Sequence, residues 1–534
     1  MALPSFLGYF TLGNNCVQRA NLHNSRLHYT IAPGGRTIIM YSALFGRYFL
    51  CPLWLGTQQA MEGFTMSTIK EYLIGRNTEF EVLAHSFLHE KGLPFSRILD
   101  AAFIHRVFQE EDALFGQNDI FSTEIVLWAF LAQNLRDGKG AACSTAVADI
   151  ATYMVQTGQK PPSGDTGDYC RARAKLSLPA LQRLVRESSR QLEDAAAKPW
   201  LFQGLHAKLI DGFTFTMPDT PENQNVYPQL KNLPGGVGFP FARACAVLSL
   251  ATGCVCDIAI GPYAGKETGE TALLRTLLDT FAPNDIAVFD RYYGSYMMLA
   301  LLTARGVQVC TRLHQLRKSD FRKGHRLGHN DYLVTWIRPQ RPKWMTQEQY
   351  DQIPETMELR EIRFDENEFG HHEAFTVITT LTDPEKYSKE EMADLYGCRW
   401  NVEQDIFHFK QTLNLDHARC KTPEMVLREL WTKLLAYNMI RKVMVTSASL
   451  HAKQPRRLSF TLTCQTILSA WMVLAADLCR DTQEMHAEIL AKIAQQEVLK
   501  RPGRIEPRVI KRCTMRYPLM KRSRQQLRAE LGKT

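Results

Sequence analysis

Tyr396, Arg399, Glu403 and Lys410 stand at the spacing Y-x2-R-x3-E-x6-K, behind a Ser388-Lys-Glu-Glu391 stretch that follows a Pro-containing turn. The stretch is a capping box, which predicts a helix starting there. At about 100° per residue the four side chains project at roughly 0°, −60°, −20° and −40°, so the spacing puts them on one face. Such a face offers a carboxylate able to hold a metal, two cations able to hold phosphate, and a phenol able to hydrogen-bond or stack on a nucleotide. A solvated stripe with an i,i+4 pair between Arg399 and Glu403 would use the same residues. Phe407, at about 20° on the wheel, speaks against a purely solvated stripe. Partners elsewhere in the chain must decide.

Further motifs are Met217-Pro-Asp-Thr-Pro-Glu-Asn-Gln224, Gly261-Pro-Tyr263, and Arg419-Cys-Lys-Thr-Pro-Glu-Met425 running on to Leu434-Leu-Ala-Tyr-Asn438. Together with the quartet they resemble the transposases of the insertion-sequence-four family, DD(E) enzymes with a ribonuclease H-like core. The resemblance covers roughly residues 120 to 445. It implies two more acids, one on the first core strand and one ending the fourth. Asp211 fits the first, in a segment where Leu209, Phe213, Phe215 and Met217 alternate as in a strand. Asp290 fits the second, closing the apolar run Ile286-Ala-Val-Phe289 ahead of Arg291-Tyr-Tyr-Gly294. Between them, 241–263 reads as two strands joined at Ala251-Thr-Gly253, and 268–281 as a crossover helix. A helix at 296–304 and a strand at 307–312 follow, completing the order β-β-β-α-β-α-β-α. Phe213 departs from the pattern, which has a small hydroxyl residue there.

The resemblance implies Asp211, Asp290 and Glu403 as metal ligands and catalytic residues, with Tyr396, Arg399 and Lys410 on DNA at the element's end. Hard cations such as Mg2+, with Mn2+ as a substitute, prefer oxygen ligands. Two of them about 4 Å apart can clamp the attacking and leaving oxygens of an in-line phosphodiester displacement. Water would serve in the first cut and the freed 3′-hydroxyl in the second, with no covalent enzyme intermediate. Taken singly, Asp211 could cap a turn and Asp290 could pair with Arg291.

At 534 residues the chain exceeds one typical core. The expected architecture is an α/β, ribonuclease H-like mixed-sheet core at 201–445, with a β-rich insertion at 311–381. A helical domain at 66–200, able to bind element ends, precedes it, and a helical C-terminal region with a basic tail, 446–534, follows. Residues 1–65 are an extension without periodicity; Met66, just before Ser67-Thr-Ile-Lys-Glu, is a candidate start of translation. Net charge is +9, and residues 500–534 alone hold 12 Lys/Arg against Glu506 and Glu530, so the rest of the chain is close to neutral. Such a tail suits DNA phosphates and predicts a steep salt dependence. From Arg312 to Lys343 nine Lys/Arg, against Asp320 and Asp331, are interleaved with aromatic residues. Arg322, Lys323 and Trp336 are therefore further DNA-binding candidates, as is Arg291 directly after Asp290.

The thirteen cysteines contain no C-x2-C pair and read as reduced core residues, and His371-His372 reads as loop. No run of about 18 apolar residues suggests a membrane span, and the first apolar run lacks the basic leader of a secretory signal. The expected partners are double-stranded DNA, both terminal inverted repeats and target, bound by a homodimer in the nucleoid-associated cytoplasm. A catalytically silent DNA-binding descendant and a host nuclease with the same clamp are the competing readings.

Overall fold

A computed structural model describes the strands at 26–30 and 37–41, residues 99–498 apart from 118, 136–137, 157–158, 367–373 and 467–481, and residues 520–532. The chain divides into two units, Met1–Arg76 and Asn77–Thr534. In the first, β1 (Arg26–Thr30) pairs antiparallel with β2 (Thr37–Tyr41). His371 and His372, residues 467–481 of the expected helical C-terminal region, and most of the basic tail lie outside the described residues.

The described residues of the second unit begin with helices α1 (Ala101–Glu110), α2 (Thr123–Leu135), α3 (Cys143–Gln156), α4 (Gly167–Ala174) and α5 (Leu178–Asp194). Local sequence sets their starts. Asp100 caps α1 by accepting from the Ala102 amide, and Ser177 caps α5, with Pro179 in its first turn. Their apolar faces do not close on a core of their own. Leu181, Leu184 and Val185 of α5 share one cluster with sheet residues such as Phe213 and Val288.

The core sheet holds β3 (His206–Thr216), β4 (Phe241–Ser249), β5 (Val255–Pro262), β6 (Asp285–Phe289) and β7 (Gln308–Arg312). β3 runs antiparallel to β4 and parallel to β6, and β6 runs parallel to β7. Short helices α6 (Pro221–Val226), α7 (Glu270–Arg275) and α8 (Tyr296–Thr303) fill the connections. The crossover expected over 268–281 is thus α7 plus a separate 3-10 turn, Leu278–Thr280.

The segment expected as an insertion subdomain instead continues this sheet. β8 (His325–Gly328), β9 (Asp331–Ile337), β10 (Thr356–Phe364) and β11 (Phe375–Thr379), with α9 (Gln347–Asp351) between, give nine strands in the order β5-β4-β3-β6-β7-β11-β10-β9-β8. All pairings from β7 outward are antiparallel. Alternation along β9 turns Val334 and Trp336 inward. Trp336 is 6% exposed, donates its indole N–H to Glu361 Oε1 at 2.9 Å, and lies under the Arg317 guanidinium. Contrary to expectation it fills a core and offers no face to DNA. Phe321 and Tyr332 are likewise spent on each other, stacked at 4.5 Å.

The late helix begins as expected, with Ser388 and Glu391 forming the capping box of α10 (Lys389–Gly397). It does not continue with one pitch. A 3-10 turn at Cys398–Trp400 leads to α11 (Asn401–Phe407), then to a π-helical turn at His408–Thr412. The long helix α12 (Pro423–Leu450) carries a row of buried polar groups, and α13 (Thr482–Gln495) and α14 (Arg524–Leu531) follow. Asn438 of α12 accepts from the Val255 amide and donates to the Val255 carbonyl, tying α12 to the edge strand β5. Arg441 passes beneath Gly253, whose φ is +76° and where a Cβ would lie 2.8 Å from Arg441 Cζ. From there Arg441 Nη2 reaches Asp405 Oδ1 of α11 at 2.5 Å, Arg456 Nη1 reaches Asp405 Oδ2 at 2.5 Å, and the Tyr437 hydroxyl donates to Oδ1 at 3.0 Å.

Asp405 and Arg441 are 1% and 3% exposed. Removing the carboxylate strands a buried guanidinium, a loss of about 3–5 kcal/mol in comparable pairs. Asp405→Ala is therefore expected to lower the denaturant midpoint by that equivalent, measured by circular dichroism; a change within noise would show that the network does not hold α11.

Candidate active site

β3 positions Asp211 because its apolar neighbours Leu209, Phe213 and Phe215 are buried around it. In the parallel register Ile210 faces Phe289, so Asp211 and Asp290 each stand one residue beyond a paired position on adjacent strands. Asp290 Oδ1 accepts the Tyr292 amide at 2.7 Å, and its backbone carbonyl accepts from the Thr311 hydroxyl. The third acid comes from α11. Arg399 Nη2 donates to Glu403 Oε1 at 3.2 Å, while its Nη1 lies 3.9 Å from Asp211 Oδ2. One guanidinium therefore connects the first-strand acid to the late-helix acid, and its Nε is buried without a hydrogen-bond partner.

The electrostatics mark Asp211. Burial pushes its carboxyl up to about 6, against the stabilising Gly212 amide and Arg399; the charges of Asp290 and Glu270 push it further the same way. Glu270 is a fourth acid that sequence reasoning missed. It starts α7 and lies over Gly212 so closely that a Cβ there would fall 2.3 Å from Glu270 Cδ. The Tyr293 hydroxyl donates to its Oε2 at 3.2 Å. The only signal in the sequence was a glycine directly after Asp211, which is suggestive once the crossover helix is known to cross there.

The quartet does not form one stripe. The 3-10 turn changes the phase after α10, and Tyr396 turns inward, its ring 5.7 Å from Phe375 and its phenol held neutral to higher pH by burial. Lys410, in the π-helical turn, pairs with Asp416 at 2.8 Å. Arg399 alone meets the acids. Phe213, where a hydroxyl residue was expected, packs against Phe215 and Phe409, under the helical segment that delivers Glu403. Arg291 is half-buried beside Asp290, and Arg322, paired with Asp320 at 2.9 Å, and Lys323 are exposed on a 3-10 turn at Phe321–Lys323. Two exposed rings escaped the sequence reading. Tyr292 is 52% exposed next to Asp290, and Trp400 is 63% exposed with the Arg399 guanidinium 5.4 Å from its ring centre.

Among the described residues no three His, Cys, Asp or Glu side chains are gathered closely enough to hold a metal ion as they stand. The donor set nevertheless fits a hard divalent cation: it offers carboxylate oxygens only, and it places on Asp211 a repulsion that added positive charge would relieve. Arg399 supplies such a charge between Asp211 and Glu403.

Residues 205–439 match the family described as Transposase DDE domain. Over 356 residues the chain is 27% identical to the transposase InsG for insertion sequence element IS4 of Escherichia coli (strain K12), an alignment covering 65% of this chain and 76% of that protein. It is 35% identical over 71 residues to the transposase for insertion sequence element IS421 of Escherichia coli, covering 13% of this chain and 19% of that one. The solved piggyBac transposase synaptic complex with hairpin DNA aligns with 79% of this chain and 86% of that chain, at 10% identity and a TM-score of 0.34, too low to define a shared fold.

A raised carboxyl pKa has a signed effect on stability. The folded state holds the Asp211 proton up to about pH 6 whereas the unfolded chain releases it near 3.8, so folding loses stability as pH rises through that window and stays weakened above it. Asp211→Asn remains neutral. It is expected to unfold at higher denaturant than wild type at pH 7, by on the order of 2 kcal/mol, with the difference vanishing below the unfolded-state value. Equal differences at both ends of the range would show that Asp211 is not the titrating group.

Proposed function

We propose that this chain is a DNA transposase that cuts and rejoins phosphodiester strands at the ends of an insertion sequence, with β3 to β7 as a ribonuclease H-like core. DNA transposase function is supported by the match of residues 205–439 and by the similarity to the IS4 transposase. The finer assignment rests on one observation: Asp211 and Glu403, far apart in sequence, meet on the Arg399 guanidinium, with Asp290 just past the end of the strand beside Asp211.

Asp211, Asp290 and Glu403 would hold Mg2+, two ions with Mn2+ as a substitute. Bound there, the metal supplies Lewis-acid polarisation of the phosphoryl oxygens and lowers the pKa of a nucleophilic hydroxyl. The chain's own residues do the rest. Arg399 and Lys410 each have a carboxylate partner already, so holding a DNA phosphate is an exchange of partners rather than the filling of an empty donor. That exchange couples the arrival of DNA to the release of Glu403. Trp400 and Tyr292 offer flat faces for an unstacked base at the cleavage point. Phe213 and Phe409 exclude water beneath the acids. Arg291, Arg322, Lys323 and the basic tail extend the positive surface to flanking and target DNA, in a homodimer that brings two inverted repeats together. No helix among the described residues is long and apolar enough to cross a membrane, and the nucleoid in the cytoplasm is where such an enzyme would act.

Glu403→Gln separates chemistry from binding. It keeps the size of the side chain while removing its charge, so strand cleavage of end-containing DNA with Mg2+ is expected to fall by at least two orders of magnitude, on the scale of other electrostatic active-site deletions. Gel-shift affinity in Ca2+ should persist, since phosphate contacts position the DNA. Lys410→Ala should do the opposite, weakening binding by about 1–2 kcal/mol with cleavage retained at saturating DNA. Wild-type cleavage by Glu403→Gln would remove this residue from the reaction.

A further inference from the structure

A cleft of about 480 Å3 lies between the N-terminal helices and the loop joining the late helix to α12. We propose that it is a second binding site, for a backbone phosphate of DNA running past the helical region. The inference rests on the transposase reading above and adds to it a place where the DNA is held.

The floor of the cleft is wired to present donors. Gln133, 6% exposed, is fully engaged: its Nε2 donates to the Ala141 carbonyl, and its Oε1 accepts from the Tyr169 hydroxyl at 2.9 Å and from Arg173 Nη1 at 2.8 Å. This fixes Arg173, whose guanidinium also rests on the rings of Phe130 and Tyr169. The next residue, Asn134, is also 6% exposed, lines the cleft, and leaves its Nδ2 without a hydrogen-bond partner among the described residues; Arg173 Nε is in the same condition. Buried donors without acceptors are rare because each forfeits its hydration, so a pair of them at one cleft points to an acceptor that arrives from outside.

The opposite wall has the matching sign. Thr422 is the N-cap of the 28-residue α12, makes no capping hydrogen bond with its side chain, and lines the cleft with Lys421. A long helix presents partial positive charge at that end. The one acid in the lining among the described residues, Glu429, is already neutralised: Lys433 Nζ lies at 2.8 Å from it and the Arg419 and Cys420 amides donate to it. What remains for a ligand is donors, in a space suited to a phosphate. Lys421 and Thr422 are exposed, so the site is open at its rim. An open rim favours a phosphate within a chain, whose neighbours must leave on both sides.

Cys143 and Cys170, both half-buried, line the same cleft and report on its occupancy. The test uses the full chain, a random-sequence duplex and no divalent cation, with thiol alkylation read peptide by peptide and affinity read by fluorescence anisotropy. The duplex should slow alkylation of Cys143 and Cys170, and inorganic phosphate at equal phosphate concentration should not. Lys421→Gln should relieve that protection and lower the slope of log affinity against log salt by about 0.9, the value of one phosphate contact. Asn134→Leu should weaken binding about fivefold with the slope unchanged, since it removes a neutral donor. Were Asn134→Leu to misfold, the exposed Lys421 and the alkylation readout still decide. Duplex that binds while both cysteines react at the free rate overturns the site, as does protection by inorganic phosphate with no effect of Lys421→Gln on the salt slope. A chain that binds no duplex at all fails at the transposase reading itself.

Discussion

The carboxylate of Asp405 is the constraint on which the candidate site depends. Glu403 sits on a helix of only seven residues, entered through a 3-10 turn and left through a π-helical one. Short irregular helices have little stability of their own. This one is fixed because Asp405, two residues on, points to the opposite side and is gripped by Arg441, Arg456 and Tyr437. Arg441 belongs to α12, which Asn438 ties to the sheet edge, and Arg456 also donates to the carbonyls of Ser249 and Leu250 in the β4–β5 turn. The acid that faces outward to Arg399 is thus aimed by an acid that faces inward for structure.

The site itself is under electrostatic tension. Asp211 is half-buried near the like charges of Asp290 and Glu270, and Glu270 leans over the one residue beside it that has no side chain. Arg399 relieves part of this by lying between Asp211 and Glu403. Phe213, where a hydroxyl residue was expected, is a ring that packs on Phe215 and Phe409 under the helix, which makes the support apolar without touching a carboxylate.

Much of this was legible in the sequence for physical reasons. Asp211 on β3 and Asp290 just past β6 stand in or at the end of apolar runs, where a lone charge stands out, and the capping box marks the start of α10. The uniform helical wheel misled, because it cannot foresee a 3-10 turn and a π-helical turn within twenty residues; Tyr396 and Lys410 moved off the shared face for that reason. Trp336 misled in another way. Cations interleaved with rings describe a DNA surface and a buried strand flanked by arginines equally well, and only the pairing of β9 with β10 separates them. Glu270 and the donors at Asn134 and Arg173 were invisible, since each acquires meaning from a neighbour distant in sequence.

The long detour of the chain between β7 and α10 has a consequence for how the protein comes into being on the ribosome. Asp211 and Asp290 emerge early, but their partner Arg399 and the acid Glu403 follow only after four further strands have been added to the growing sheet edge. Thr216 at the end of β3 pairs with His417, so even the first strand of the core is completed late. Contacts between segments so widely separated form slowly. A nascent chain would carry Asp211 and Asp290 for some time before Arg399 and Glu403 could join them, and an interrupted translation product would hold the two strand acids without the guanidinium that meets Asp211.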